Sequence, residues 1–176
     1  MELSKIIQAR RSIRKYKGDA IVPEQLEAVL EAGRLAPSWK NGQCWTYIVV
    51  SDPAVRLALG EAVGFNPDRT AFEAAPYVLV QCANPADSGD LGGKDYYMMD
   101  AGISLEHMVL QAAELGLGTC WVGWFDEQPV KDLLGIPEEQ RVVALTPLGV
   151  PDQAPKARPR KAMADMVFYN GWGKKA

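Results

Sequence analysis

Eight of the 19 Lys and Arg residues in this 176-residue chain fall in two six-residue stretches. "RRSIRK" carries Arg10, Arg11, Arg14 and Lys15 around the hydroxyl of Ser12, and "KARPRK" carries Lys156, Arg158, Arg160 and Lys161 near the other end. Guanidinium groups beside a hydroxyl have the chemistry to hold a phosphate or another fixed anion, because each N–H makes a charge-assisted hydrogen bond to it. A like-charged run by itself more often faces water. Two such runs in a chain of formal net charge −3 point to one anion site built from both termini.

A second group lies in "APSWKNGQCW", residues Ala36 to Trp45, where Pro37, Ser38, Asn41, Gly42 and Gln43 stand between Trp39 and Trp45. Neutral hydrogen-bonding groups flanked by aromatic rings suit the edges and face of a flat heterocycle, although plain turns favour the same residue types. A third, "TCWVGWF", offers backbone N–H groups at Gly123 and Trp124. Cations for a phosphate, an amide-rich loop and backbone donors are together the parts needed for a flavin mononucleotide.

Other chemistries fail on the residues. Gly116 and Gly118 in "GLGTCWVG" lead into a strand, whereas a dinucleotide fingerprint leaves a strand and opens a helix. "SGDLGGKD" has Ser88 where a phosphate loop needs Gly, and Asp95 where it needs Ser or Thr. His107 is the one histidine, which leaves zinc sites and histidine-based triads little support, and no metal is expected. The sequence pI of about 5.3 and the lack of an aromatic-studded basic strand argue against nucleic acid. No apolar run approaches the ~20 residues of a membrane span. The opening "MELSKIIQARR" places its charges after its apolar residues, opposite to a secretory signal, so a cytoplasmic location is expected. Cys44, Cys82 and Cys120 form no CxxC pair and read as reduced and structural.

The elements that must position these groups follow from periodicity, and the length fits one domain. Helices are expected over "ELSKIIQARR", over "IVPEQLEAVLEAGRLAPS" with Pro23 in its first turn, after the Asp52 cap and Pro53, and around Pro129 to Leu134 before Gly135. Strands are expected at Thr46 to Ser51, Pro76 to Ala83, Thr119 to Phe125 and Arg141 to Gly149. Between them "DYYMMDAGISLEHMVLQAAEL" is apolar around most of its circumference, which calls for a central helix covered partly by its own sheet and partly by a second subunit.

In four stretches, "RRSIRKY", "APSWKNGQCW", "GLGTCWVGWF" and "ARPRKAMADMVFYNGW", the chain resembles the nitroreductase family of FMN-dependent flavoproteins, over essentially its whole length. The resemblance implies an α+β, three-layer α/β/α fold with a mixed, mostly antiparallel sheet and the central helix at a homodimer interface. It implies one FMN-binding domain over 1–176 whose arm, about 151–176, reaches the partner. Arg10 and Ser12 would contact the FMN phosphate or ribityl chain, Arg11 would offer mainly its backbone, Arg14 would lie near the pyrimidine edge, and Arg158 and Arg160 would close on the phosphate. Pro37, Ser38, Asn41 and Gln43 would bind the cofactor, the last three of them from the other subunit, and the Gly123 and Trp124 N–H groups would face the reacting edge. The implied activity is hydride transfer from NAD(P)H through FMN to small electron-poor acceptors such as nitroaromatics or quinones, by a ping-pong mechanism. The alternatives are other flavin chemistry on the same scaffold, such as dehalogenation or substrate dehydrogenation, or a non-enzymatic flavin- or phosphate-binding module.

The chain departs from the family pattern at Cys44, where proline is usual; this either loosens the turn or places a thiol near the cofactor. Asn66 and Arg69 are both candidates for the amide-type contact to the pyrimidine edge. The short 84–94 connection leaves little room for helices over the substrate.

Overall fold

The computed structural model describes residues 2–64 and 69–175. Helices α1 (Leu3–Ala9), α2 (Pro23–Arg34), α3 (Pro53–Ala62), α4 (Thr70–Ala74), α5 (Tyr96–Glu114), α6 (Glu127–Leu134) and α7 (Met163–Met166) accompany strands β1 (Trp45–Val50), β2 (Tyr77–Ala83), β3 (Gly118–Thr119) and β4 (Arg141–Gly149). The strands pair in the order β1-β2-β4-β3, each pair antiparallel. Among the described residues, the parallel component of the expected mixed sheet is a single bridge, Ser12 to Thr119.

Local chemistry explains the element ends. Asp52 caps α3 by accepting from the N–H groups of Ala54 and Val55, with Pro53 as the first helical residue. Gly135 closes α6 in the left-handed conformation, φ 65°.

Alternation along the strands sorts side chains into two cores, giving the expected three layers. Ile48, Val50, Val78, Val80, Cys82 and Leu145 pack against Leu59, Phe72 and Val130 from α3, α4 and α6. Tyr47, Leu79, Ala144 and Leu148 pack on the opposite face against Val29 of α2 and Leu105, Met108 and Val109 of α5. A β-bulge breaks the β2–β4 register: Gln81 faces Ala144 while Cys82 faces Val142, leaving Val143 as an extra residue.

One expected strand is largely absent. Of Thr119 to Phe125 only Thr119 lies in β3, and Val122 returns to bridge Leu145. Trp121 and Trp124, whose rings made this stretch look like a strand, are 37% and 68% exposed. No helix among the described residues is long and apolar enough to cross a membrane.

Candidate cofactor site

The two basic stretches meet because residues 12–17 are stitched between β3 and the segment that follows β4. Ile13 N–H donates to Thr119 O at 2.8 Å, Lys17 N–H to Val150 O at 3.0 Å, and Asp152 N–H to Lys15 O at 2.9 Å. Tyr16 bridges Pro151 and donates its hydroxyl to Ile13 O at 2.6 Å. The chain then turns along α1, and a cavity of about 610 Å³ opens, lined by Arg10, Arg11, Ser12, Arg14, Lys156, Arg158 and Arg160 together with Ile7, Gln8, Pro155 and Ala157. Six cations and a hydroxyl line it, with no carboxylate among these residues.

The cations are held differently. Arg10 Nε lies 4.0 Å from Glu106 Oε1 of α5. Arg11 Nη1 donates to Gln8 O at 2.6 Å and Arg10 O at 2.9 Å, which ties its guanidinium to the end of α1. Arg160 Nη1 donates to Arg158 O at 3.2 Å and Pro159 O at 3.3 Å. A concave surface of this charge can fix a phosphate ester, with additional hydrogen bonding from Ser12.

Residues 36–45 lie elsewhere within the chain. Pro37 leads into a 3₁₀ turn over Trp39–Asn41, and Ser38 Oγ accepts from Gln43 N–H at 2.9 Å. Gln43 Nε2 donates to Asn41 O at 3.2 Å. Lys40, Asn41 and Gln43 all have positive φ, 47°, 59° and 51°, which for side chains of this size stores strain on the order of 1 kcal/mol or more each. Of the loop's predicted residues, Gln43 lines a separate groove with Trp45, Tyr47 and Arg34, and none lines the basic cavity. Gly123 and Trp124 are exposed between β3 and α6, also outside that cavity. Among the described residues no main-chain acceptor takes the Gly123 N–H.

The structure brings Arg10, Arg11, Ser12, Arg14, Arg158 and Arg160 together; it does not bring the loop or Gly123 and Trp124 to them within one chain. Cys44 is buried beside Asp100, and burial first, then the Asp100 charge, push its thiol up to about 11, so at neutral pH it is an inert thiol. Asn66 lies outside the described residues. Arg69 Nη1 donates to Gly64 O at 3.0 Å and does not line the basic cavity. Cys44, Cys82 and Cys120 are all buried and form no disulfide among the described residues. Among the described residues no group of three or more His, Cys, Asp or Glu is placed to hold a metal.

A three-layer α+β fold whose two ends build an anion cavity has clear relatives. The sequence model of the Nitroreductase family matches residues 7–69 and 65–150. A nitroreductase family protein of Clostridium novyi NT, 39% identical, superposes with a TM-score of 0.84 over 99% of this chain and 96% of its own. The NADPH-flavin oxidoreductase of Vibrio harveyi is 32% identical over 93% of this chain and 72% of its own length. The FMN reductase [NAD(P)H] of Bacillus subtilis is 31% identical over 90% and 70%. The chain belongs to the nitroreductase family, and it is an oxidoreductase.

Proposed function

We propose that this protein is an FMN-dependent NAD(P)H oxidoreductase that passes electrons to small electron-poor acceptors, such as nitroaromatics and quinones, by a ping-pong sequence. The observation that carries this reading is the convergence of Arg10, Ser12, Arg14, Arg158 and Arg160 on one cavity with no carboxylate among its described lining residues. That donor set fits a phosphate dianion. It also agrees with the flavin and nicotinamide chemistry named in the relatives.

In this reading Arg10, Ser12, Arg158 and Arg160 hold the phosphate, and Arg11, its guanidinium engaged by α1 carbonyls, contributes its backbone. Bound FMN would supply the hydride chemistry. Arg14 presents a permanent cation toward the pyrimidine edge, where negative charge gathers during reduction. Gly123 and Trp124 turn N–H groups toward the reacting edge. Pro37, Ser38, Asn41 and Gln43 complete the site from a second copy of the chain, which agrees with their separation from the basic cavity in one copy. No side chain is asked for acid or base catalysis; the residues bind and orient.

A homodimer accords with the surface. Met98, Met99 and Ile103 on α5 are 41–49% exposed, and the arm shows Met163, Met166 and a Trp172 that is 94% exposed. An obligate interface would bury such side chains. An absorbance spectrum of the purified protein, followed by anaerobic titration with NADH and with NADPH, tests the proposal. A flavin spectrum that either nicotinamide bleaches is expected. A protein that neither takes up FMN nor oxidises a nicotinamide would overturn the proposal.

A further inference from the structure

We infer that Asp100, a buried carboxylate on the central helix, is the positioning residue that holds the 38–43 loop in its strained conformation, and that it does so by clasping the loop to the 84–95 connection. The inference rests on the reading of that loop as a flavin-contacting element.

Asp100 is 4% exposed on a face of α5 otherwise lined by Tyr97, Ala101, Ser104 and Leu105. Its two oxygens are shared between separate parts of the chain. Oδ1 accepts from Trp39 N–H at 2.9 Å, at the first residue of the 3₁₀ turn. Oδ2 accepts from Ser88 Oγ at 2.7 Å, in the connection between β2 and α5. The Cys44 thiol also points at Oδ2, at 3.8 Å, from the far end of the loop. The carboxylate therefore touches the loop at its entry and its exit, and fastens the connection over it.

The packing around this contact repeats the arrangement. Trp39 stacks on Tyr96, centroids 6.2 Å apart and planes 12° from parallel. Gly89 lies against both rings: a Cβ there would meet Trp39 and Tyr96 carbons at 2.7 Å. Tyr96 N–H donates to Gly89 O at 2.9 Å. Three positive-φ residues persist only where surrounding structure over-determines them, and these contacts supply that restraint. The short connection is thus bound to the loop, where a longer one could have formed a lid.

Asp100→Ala leaves the Trp39 N–H and Ser88 hydroxyl without this acceptor. Asp100→Asn keeps an oxygen for Trp39 and offers an N–H to Ser88, so it should rescue. In the FMN-free protein, Asp100→Ala should speed amide hydrogen exchange at least tenfold across residues 38–44, with Asp100→Asn near the parental rate. Ser88→Ala and Gly89→Ala, perturbing the clasp from the connection, should give smaller rises in the same segment and serve if Asp100→Ala fails to fold. Unchanged exchange in 38–44 for Asp100→Ala, or for both connection variants, overturns the inference. FMN affinity reports separately on the underlying reading. A loosened loop that binds FMN as tightly as the parent, with Gln43→Ala also binding normally, would leave the clasp standing and remove the loop from the flavin site.

Discussion

Ile13 packs directly onto the backbone of Gly118: a Cβ at position 118 would lie 2.8 Å from the Cβ, Cγ1 and Cγ2 of Ile13. This close approach lets Ile13 N–H reach Thr119 O and seats the "RRSIRKY" stretch beside β3. Gly118→Ala should push that stretch outward, destabilising the fold by about 1 to 3 kcal/mol, as overpacking does. FMN binding should weaken in parallel, while Gly116→Ala, with open space at its Cβ but φ of 77°, should cost stability without the same loss of FMN. Thermal melts and FMN titration of both variants check this.

Arg160→Ala should weaken FMN binding far more than riboflavin binding, since only FMN carries the phosphate. A charge-assisted hydrogen bond contributes about 1.5 to 3 kcal/mol, so roughly a tenfold to hundredfold loss in Kd is expected. Equal losses for both ligands would assign the arm to packing.

Arg14→Met keeps the apolar stem and removes the cation. Much of the FMN should stay bound, but reduction by a nicotinamide should slow by about a hundredfold to a thousandfold, the usual cost of removing a preorganised charge from a site where charge develops. Stopped-flow bleaching with FMN saturating, and the midpoint potential of the bound cofactor, are the measurements. A parental rate and potential would return Arg14 to the phosphate end or to the surface.

Ile103→Glu adds a charge to the exposed apolar face of α5 that also carries Met99. If that face meets a second copy, sedimentation should show dissociation to monomers with loss of FMN, since the loop would no longer reach the cavity. A dimeric, yellow variant would place the interface elsewhere.

Glu127 grips Arg141 through both carboxylate oxygens, with an Nη2–Oε1 distance of 2.5 Å, and accepts from Val142 N–H at 2.9 Å, so α6 is fastened to β4. Burial raises the Glu127 pKa, but the Arg141 and Val142 hydrogen bonds outweigh it and hold the group below its usual range. A carboxylate depressed by folding contributes stability above its unfolded pKa, about 4.3, and loses it as pH falls through the folded value. Glu127→Gln should therefore lower the Tm at pH 7 and narrow its gap to the parent below about pH 4. The pair is partly exposed, so the contribution is on the order of 1 kcal/mol.

The central helix and the meeting of the basic stretches were legible because both were written locally, in periodicity and in runs of like charge. The strand expected at Thr119 to Phe125 was misread for an equally local reason. "CWVGWF" has the aromatic and β-branched content that pleated, half-buried surfaces favour, yet Trp121 and Trp124 stay exposed and only Val122 returns to the sheet. Asp100 gave a fainter signal, one carboxylate in a stretch read for its apolar residues. Its partners Trp39 and Ser88 stand 61 and 12 positions away, and nothing along the chain joins them until the helix is packed.

The bulge at Val143 has a meaning for how such a chain can change over time. Val143 and Ala144 both turn toward the α5 side, while Val142 and Leu145 turn to the other core. Deleting that one residue would leave Val142 and Leu145 in their core and Ala144 toward α5, so the strand would return to plain alternation with Cys82 still opposite Val142 and Gln81 opposite Ala144; deleting Leu145 instead would exchange the faces of everything on one side of it. The bulge is thus the place in β4 where the sheet can lose a residue and keep its faces, whereas the regular part of the strand can accept a substitution and not a change of count.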